Sequence, residues 1–233
     1  MRTLLLLLIY VILTFFLLIL LLLFFPFGLR NPLLRVAKWA MALGSMILGI
    51  KIDVRGVEKI EKKSSYVFMA NHLSFLDGPM LFLLIPQLIR VILKKEVFRI
   101  PVIGQGMRFV NFVSVDRKGV RGGRKSIERA ARLMREKGYS FLIFPEGTRS
   151  RDGRIQAFRR GGFFLALESQ AAIAPISING TYELMPRKSM LAKKGNVRVI
   201  FHPPVSVQGY DTTTMQVLID RVKSVIESGL SNP

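Results

Sequence analysis

Hydrophobic residues are distributed in two different ways along this chain of 233 residues. From Thr3 to Phe25 no residue is charged, and nearly all are Leu, Ile, Val or Phe. About 20 such residues are enough to cross the hydrocarbon core of a bilayer. The run is too long for the apolar part of a cleavable signal peptide, and no small-residue cleavage site follows it. The pattern therefore predicts a helix embedded in a membrane.

A second apolar stretch follows after a short break. Pro26-Phe27-Gly28 interrupts the first run, and Asn31-Pro32 resembles a helix N-cap followed by a first-turn proline. Leu33 to Ile50 then continues as a second predicted helix. Residues 1–50 are thus predicted to form a membrane-embedded pair of helices. Two arrangements remain open: a hairpin that dips into one leaflet, or one spanning helix followed by an interfacial helix.

Beyond residue 50 the pattern changes to short apolar blocks that alternate with amphipathic stretches. The short blocks indicate strands, and the longer amphipathic segments indicate helices. The predicted strands are residues 51–55, 66–70, 90–94, 111–115, 141–144, 173–178 and 197–201. The predicted helices are residues 78–84, 122–138, 162–168 and 211–228. Strands that alternate with helices imply one α/β domain over residues 51–233, with a mixed or mainly parallel sheet flanked by helices.

The charge balance indicates an anionic partner. The chain has 35 Lys and Arg against 15 Asp and Glu, which gives a formal net charge of +20 at pH 7. Nucleic acid and an anionic membrane surface are the two candidates, and the apolar N-terminus favours the membrane. An excess of Lys and Arg is typical of the cytoplasmic side, so residues 51–233 are predicted to lie on the cytoplasmic face of the cell membrane. The absence of Cys excludes disulfides, thiolate zinc sites and a Cys nucleophile.

The helix predicted over residues 122–138 has a strongly basic surface. Its apolar face is formed by Ile127, Ala130, Ala131 and Met134. Much of the remaining surface is lined by Arg124, Lys125, Arg129, Arg132, Arg135 and Lys137. A charge run of this kind is usually a solvated helix face, and contact with a membrane surface is the alternative.

A His and an Asp follow the strand predicted over residues 66–70, where α/β proteins place their chemistry. Five residues along a regular helix correspond to about 500° of rotation, so His72 and Asp77 meet only if His72 lies in the loop and Asp77 in the first helical turn. Asp77 would then bind one imidazole nitrogen and leave the other free as a base. In the alternative interpretation, Ser74 and Asp77 form a helix capping box and His72 is an ordinary loop residue.

A second polar loop follows the strand predicted over residues 141–144. Its sequence is Pro145-Glu146-Gly147-Thr148-Arg149-Ser150. Gly147 permits a tight turn with a positive φ angle. Thr148, Arg149 and backbone N–H groups would then converge near the strand end, and the planar guanidinium suits a phosphate monoester. The positive field is enlarged by Arg151, Arg154, Arg159 and Arg160. A plain turn is the alternative when this loop is taken by itself.

Four segments, in chain order, resemble the motifs of the glycerolipid acyltransferases. They are Asn71 to Asp77, Lys95 to Gly104 with Val115 to Arg117, Phe144 to Ser150, and Ala174 to Ile178. The first matches the pattern Asn-His-x4-Asp, and the third matches Phe-Pro-Glu-Gly-Thr-Arg-Ser at every position. The apolar N-terminus also fits this family. The chain is thus identified, by resemblance, as a member of it.

The resemblance implies transfer of a fatty acyl group from a thioester of acyl carrier protein or coenzyme A. The acceptor would be the 2-hydroxyl of lysophosphatidic acid, and the product phosphatidic acid, a step of phospholipid synthesis. His72 is then the expected catalytic base and Asp77 the residue that orients it. The expected substrate-binding residues are Lys95, Arg117, Glu146, Gly147, Thr148 and Arg149. Lys95, Arg117 and Arg149 are expected to bind the phosphate, and no metal or prosthetic group is implied.

The residues themselves agree with direct transfer. A thioester is already activated, the chain has no Gly-x-Ser-x-Gly elbow, and a hydroxyl with a general base can attack without an acyl-enzyme.

Another lysolipid acceptor, such as lysophosphatidylglycerol or an ornithine lipid, would suit the same motifs. A membrane-tethered module that binds nucleic acid is the alternative from another class, although no aromatic–basic strand motif supports it. His202, outside all four motifs, is interpreted as structural.

Overall fold

The computed structural model describes residues 2–115, 120–189 and 191–230. The helices are α1 (Arg2–Phe24), α2 (Arg30–Leu48), α3 (Asp77–Leu84), α4 (Ile103–Phe109), α5 (Val120–Lys137), α6 (Gly161–Ser169), α7 (Thr181–Leu184) and α8 (Met215–Ser228). The strands are β1 (Ile50–Arg55), β2 (Tyr66–Ala70), β3 (Ile89–Lys94), β4 (Val113–Val115), β5 (Ser140–Ile143), β6 (Ala172–Asn179) and β7 (Gly195–Phe201). Short 3-10 helices cover Val57–Lys59 and Lys95–Arg99.

The strands form one sheet in the order β1-β7-β6-β2-β5-β3-β4. Neighbouring strands are parallel except for β6 and β7, which are antiparallel. The predicted α/β fold with a mixed sheet flanked by helices is therefore confirmed. Because β2, β3 and β5 are parallel neighbours, the loops that follow them leave the sheet at one edge. We call this edge the carboxyl edge.

Alternating side chains of the strands pack against two separate layers of helices. On β2, Phe68 and Ala70 belong to a hydrophobic cluster that also contains residues of α1, α2, α3 and α4. Val67 and Met69 belong to the opposite cluster, which contains residues of α5, α6 and α8. Every residue of β2 is buried, as expected for a central parallel strand covered on both faces. We call these two sides the α2 face and the α5 face of the sheet.

The two N-terminal helices pack on the α2 face. Leu20, Leu21, Leu33 and Leu34 are buried in its hydrophobic cluster. Large apolar side chains of the same segment are nevertheless exposed: Val11, Phe15, Leu22, Leu23, Phe25, Phe27, Trp39 and Met46. In the part of the chain that the structure describes, no helix meets the length and hydropathy needed to cross a bilayer.

The predicted N-cap of α2 was wrong. The helix begins at Arg30, and the capping residue is Leu29, which contributes no side-chain hydrogen bond. Asn31 instead accepts a hydrogen bond at its Oδ1 from Nη2 of Arg90, at 3.0 Å. Arg90 is only 1% exposed, so its guanidinium needs acceptors inside the protein, and Asn31 is one of them.

Helix α4 was not predicted, because its two glycines disfavour a helix in the sequence. Close packing explains Gly104, whereas the surroundings of Gly106 leave room for a Cβ. A Cβ on Gly104 would collide with the carbonyl group of Phe98, and a Cβ on Gly106 would touch Leu21 of α1 at 3.6 Å. Helix α8 begins later than predicted because Asp211 accepts hydrogen bonds from the backbone N–H groups of Thr213 and Thr214 in the turn before it.

Candidate active site

His72 and Asp77 meet at the carboxyl edge as the sequence predicts. His72 lies in the loop after β2, and Asp77 is the first residue of α3. Nδ1 of His72 is 2.9 Å from Oδ2 of Asp77. The His72 side chain is 20% exposed and the Asp77 side chain is fully buried. With Nδ1 donating to the carboxylate, the lone pair of Nε2 is directed away from it and is available as a base.

Asp77 also organises the loop that contains His72. Its Oδ2 accepts hydrogen bonds from the backbone N–H groups of Leu73, at 2.7 Å, and Ser74, at 2.8 Å. The contact with Ser74 is one half of the predicted capping box. In the other half, Oγ of Ser74 binds the N–H of Leu76 rather than that of Asp77. The predicted capping box was wrong in its assignment, because α3 begins at Asp77 and its capping residue is Leu76, which contributes no side-chain hydrogen bond. The contact between Asp77 and the imidazole of His72 agrees with the catalytic interpretation.

The loop after β5 holds His72 from the other side. Oε1 of Glu146 accepts a hydrogen bond from the backbone N–H of His72, at 2.6 Å. The backbone N–H of Ser150 donates to the carbonyl oxygen of His72, at 2.8 Å. Phe144 stacks on the imidazole, with ring centroids 4.0 Å apart and planes inclined by 16°. The backbone and the ring of His72 are thus both positioned by residues of the third motif.

Glu146 is buried, with 2% of its surface exposed. Its Oε2 accepts a hydrogen bond from the N–H of Gln156, at 2.9 Å, so each carboxylate oxygen binds one backbone group. Burial raises the pKa of Glu146 to about 7 and outweighs the two N–H groups, which lower it; the nearby Asp77 raises it further. These contacts hold the loop after β5 against the loop of His72. Its predicted direct contact with substrate stays a prediction.

The rest of the second loop has the predicted turn. Gly147 has a φ angle of 74°, and a Cβ at this position would lie 2.9 Å from the side chain of Arg159. Thr148 and Arg149 are half-buried. The guanidinium of Arg149 lies 5.9 Å from the ring centroid of Phe75, which is itself 60% exposed. This geometry leaves Arg149 beside the loop of His72, at the same edge of the sheet.

The remaining predicted ligands are only partly described. Lys95 begins the short helix that follows β3 and is exposed at the carboxyl edge. Arg117 lies outside the described residues, so its predicted contact with phosphate stays a prediction. Asn71 of the first motif has a structural contact, since its side chain exchanges two hydrogen bonds, of 2.9 and 2.8 Å, with the backbone of Ile178 in β6. It therefore joins the first and fourth motifs.

Two residues that the sequence analysis did not single out also support the site. Nη1 of Arg187 donates to the carbonyl oxygen of Arg149, at 3.1 Å, and so brings a further cation to the loop. No sequence signal marked Arg187, because it follows α7 outside every motif. Phe144 does lie in the third motif, but nothing in the sequence indicated that it would stack on an imidazole.

His202 lies away from this site. Its Nε2 is 2.8 Å from Oγ of Ser177, which donates to the carbonyl oxygen of Ile226 in α8. Burial lowers the pKa of His202, and the charge of Lys59 adds to this effect. The residue helps to hold the end of α8 against the sheet, in agreement with the predicted structural role.

The arrangement at the carboxyl edge suits general acid–base catalysis by one histidine. Within the described residues, no three His, Asp or Glu side chains gather as a metal site would require. Two cations at this edge, the half-buried Arg149 and the exposed Lys95, favour an anionic group on a substrate. The chemistry available is therefore proton transfer beside a loop that carries positive charge.

Comparison with known proteins agrees with this site. A family model described as Acyltransferase matches residues 51–179. The chain is 38% identical over 157 residues to a chloroplastic 1-acyl-sn-glycerol-3-phosphate acyltransferase of Arabidopsis thaliana, covering 66% of this chain and 44% of the relative. It is 30% identical over 182 residues to the 1-acyl-sn-glycerol-3-phosphate acyltransferase of Borreliella burgdorferi, covering 78% of this chain and 69% of the relative.

A solved structure is also similar. The crystal structure of the 1-acyl-sn-glycerophosphate (LPA) acyltransferase PlsC from Thermotoga maritima matches with a TM-score of 0.73 and 28% identity, over 86% of this chain and 80% of that chain. The chain spans 44% to 64% of the length of the first curated relatives that it matches. Since the family model covers more than half of the sequence and includes the loops of His72 and Arg149, the chain belongs to the acyltransferase family.

Proposed function

We propose that the protein transfers a fatty acyl group from an acyl thioester to the 2-hydroxyl of lysophosphatidic acid, which forms phosphatidic acid for phospholipid synthesis. The observation that carries the proposal is the 2.9 Å contact between His72 and Asp77, beside the loop of Arg149. The relatives from Arabidopsis thaliana and Borreliella burgdorferi, both named 1-acyl-sn-glycerol-3-phosphate acyltransferases, support the choice of acceptor.

The proposed reaction uses His72 twice. Nε2 takes the proton of the acceptor hydroxyl while its oxygen attacks the thioester carbonyl carbon. The tetrahedral intermediate then collapses, the C–S bond breaks, and the imidazolium returns the proton to the departing thiolate. Asp77 keeps the proton on Nδ1 and stabilises the imidazolium that forms between the two steps. Such acid–base catalysis contributes about 10²–10⁴-fold to a rate.

The acceptor phosphate is assigned to the cations at the carboxyl edge. Arg149 is the central ligand in this proposal, because its guanidinium can donate two parallel hydrogen bonds to phosphate oxygens. Lys95, at the start of the short helix after β3, adds positive charge. Arg117, which lies outside the described residues, is proposed as a further ligand. Thr148 contributes a hydroxyl to the same loop. Gly147 shapes its turn, because its N–H donates to the carbonyl oxygen of Phe144 at 3.0 Å. No metal or prosthetic group takes part.

We further propose that α1 and the turn before α2 are embedded in the cytoplasmic leaflet of the cell membrane. The support comes from exposed apolar side chains, with Phe25 at 66% and Phe27 at 77% exposure. A patch of this kind on a water-exposed surface is costly and typical of membrane contact. The catalytic domain would then meet its lipid acceptor at the membrane surface.

The test is an assay of thiol release by the full chain in detergent, with acyl-coenzyme A as donor and a panel of lysolipids. Release that depends on lysophosphatidic acid, together with phosphatidic acid as the product, is expected. His72→Ala should abolish it, and His202→Ala is the matched control because it removes the only other histidine. Transfer to lysophosphatidylglycerol or an ornithine lipid in preference to lysophosphatidic acid would replace the assigned acceptor.

A further inference from the structure

The chain that follows β6 contacts both loops of the candidate site. Strand β6 is parallel to β2, so it ends at the carboxyl edge, and helix α7 begins there after one glycine. We call residues 181–187 the α7 segment. Oγ of Ser74, in the loop of His72, donates a hydrogen bond to the carbonyl oxygen of Met185, at 2.8 Å. The α7 segment is therefore fixed to the loop that contains the proposed base.

The same segment holds the loop after β5 by two hydrogen bonds. The hydroxyl of Tyr182 donates to the carbonyl oxygen of Arg151, at 2.9 Å, and Nη1 of Arg187 donates to the carbonyl oxygen of Arg149, at 3.1 Å. The ring of Tyr182 also lies close to the backbone of this loop, because a Cβ on Gly153 would be 3.1 Å from it. The α7 segment thus fixes the backbone from which the side chain of Arg149 extends.

The hydrogen bond from Arg187 also places a second guanidinium beside that of Arg149. Both side chains belong to half-buried residues, and within the described residues neither forms an ion pair with a carboxylate. The hydrogen bond to the carbonyl oxygen uses one of the five donors of Arg187. Two partly desolvated cations without a counter-charge are unfavourable, and an anionic group bound beside them offsets this cost.

We propose that Arg187 is a positioning residue for the acceptor phosphate: by holding the carbonyl group of Arg149, it fixes the loop from which the Arg149 guanidinium binds that phosphate. The inference rests on the proposed acyl transfer to lysophosphatidic acid. A loop that is already held in its bound conformation loses less conformational entropy on binding, so the affinity for the ligand is higher. The charge of Arg187 acts in the same direction, because a second guanidinium attracts the phosphate. Both effects concern the acceptor and leave the thioester donor unaffected.

The experiment compares the full-length wild type with Arg187→Ala and Arg187→Lys. The matched control is Lys188→Ala, which removes the same charge from the next residue, an exposed lysine. Arg187→Gln, which keeps a donor, replaces Arg187→Ala if the latter lowers the thermal unfolding midpoint. The values of kcat and KM are measured for lysophosphatidic acid, for monoacylglycerol and for acyl-coenzyme A. Binding of lysophosphatidic acid without donor is measured in parallel by calorimetric titration, so that acceptor recognition is tested separately from transfer.

A double-mutant cycle with Arg149→Ala distinguishes positioning from direct binding of the phosphate by Arg187. If Arg187 acts through Arg149, its replacement should have little further effect once Arg149 is absent. If Arg187 bound the phosphate independently, the two losses would multiply. The cycle is measured as KM for lysophosphatidic acid in the wild type, the two single variants and the double variant.

In the expected result, Arg187→Ala raises the KM for lysophosphatidic acid by about tenfold, and Arg187→Lys recovers most of this loss. Its kcat, its KM for the donor and its kinetics with monoacylglycerol should stay within about twofold of the wild type, as should all values of Lys188→Ala. In the Arg149→Ala background, Arg187→Ala should change the KM by less than about twofold.

Three results would overturn the positioning role. They are equal losses with lysophosphatidic acid and monoacylglycerol, an equal loss in Lys188→Ala, and a full further loss of about tenfold in the Arg149→Ala background. If the wild type binds lysophosphatidic acid in a manner that depends on Arg187 and Arg149 but transfers no acyl group to it, the proposed function fails and the positioning role stands. If transfer occurs without this dependence, the proposed function stands and the positioning role fails.

Discussion

The carboxylate of Glu146 accepts a 2.6 Å hydrogen bond from the backbone N–H of His72, a residue 74 positions earlier in the chain. The second carboxylate oxygen binds the N–H of Gln156, so Glu146 joins the loop after β2 to two parts of the loop after β5. His72, the proposed general base, is therefore placed by two loops together, and the third motif contributes to its position as well as to the loop proposed to bind the phosphate.

Glu146→Gln should lower kcat more than it changes the KM of the acceptor. The carboxamide keeps one acceptor, but its NH₂ group then faces one of the two backbone N–H donors. A lost hydrogen bond to a charged group costs about 1.5–3 kcal/mol, so kcat should fall by about ten- to a hundredfold. Steady-state kinetics with lysophosphatidic acid provide the measurement. A raised acceptor KM with unchanged kcat would instead indicate that Glu146 contacts the substrate.

The raised pKa of Glu146 predicts how stability depends on pH. Burial holds the folded-state pKa at about 7, above the ordinary value of 4.5, so the folded protein keeps a proton that the unfolded chain releases. The stabilising contribution of this proton to the free energy of unfolding is fully present below about pH 4.5. As the pH rises to about 7, the free energy of unfolding falls by about 2–3 kcal/mol. Urea unfolding between pH 5 and 8 should show this loss in the wild type relative to Glu146→Gln. Parallel pH curves for both proteins would contradict it.

His72→Ala should lower turnover by about two to four decades without unfolding the protein. Asp77→Asn should also be severely impaired, because the amide no longer enforces the tautomer or stabilises the imidazolium. The measurement is kcat with circular dichroism as a check of folding, and His202→Ala is the control. The proposed mechanism would have to be abandoned if folded His72→Ala turned over at a near-normal rate.

Arg149→Ala should weaken use of the phosphorylated acceptor. A charge-assisted contact is worth about 1.5–3 kcal/mol, which corresponds at its upper end to about a hundredfold in kcat/KM. Arg149→Lys should also be poor, because Lys lacks the planar fork. The measurement is kcat/KM for lysophosphatidic acid and for monoacylglycerol, with the wild type and with Arg149→Ala. Removal of the acceptor phosphate should lower kcat/KM far more in the wild type than in Arg149→Ala. An equal cost for both would show that Arg149 does not bind the phosphate.

Membrane attachment should survive washing with concentrated salt, because apolar burial is not screened. Phe25→Ser and Phe27→Ser should each reduce flotation with vesicles, since burying such a side chain contributes about 1.5–3 kcal/mol. Val217→Ser is the matched control: Val217 is 61% exposed but lies on α8, on the α5 face of the sheet. Release by salt alone, or an equal effect of Val217→Ser, would contradict the proposal. Deleting residues 1–50 is a poor test, because it would remove Leu33 and Leu34 and expose the hydrophobic cluster on the α2 face into which they pack.

The sequence by itself determined the parts that depend on near neighbours. The strands β2 and β5 were predicted because residues 66–70 and 141–144 are continuous apolar runs, as central parallel strands require. The contact between His72 and Asp77 was also predicted, since it spans five residues and depends only on where the loop ends and α3 begins. The positive φ angle of Gly147 followed from a tight turn that glycine adopts without steric cost.

The tertiary structure decided every relationship between distant segments. The order of the strands brings Glu146 to His72 and Asn71 to Ile178, and no local pattern specifies which strands become neighbours. The predicted cap at Asn31 was wrong because α2 already begins at Arg30, and the side chain of Asn31 binds the buried Arg90 of β3 instead. The pattern of α5 indicated which side of that helix is buried but not which face of the sheet it covers. That choice depends on the connections between strands, which bring α5, α6 and α8 together on the side opposite α1 and α2.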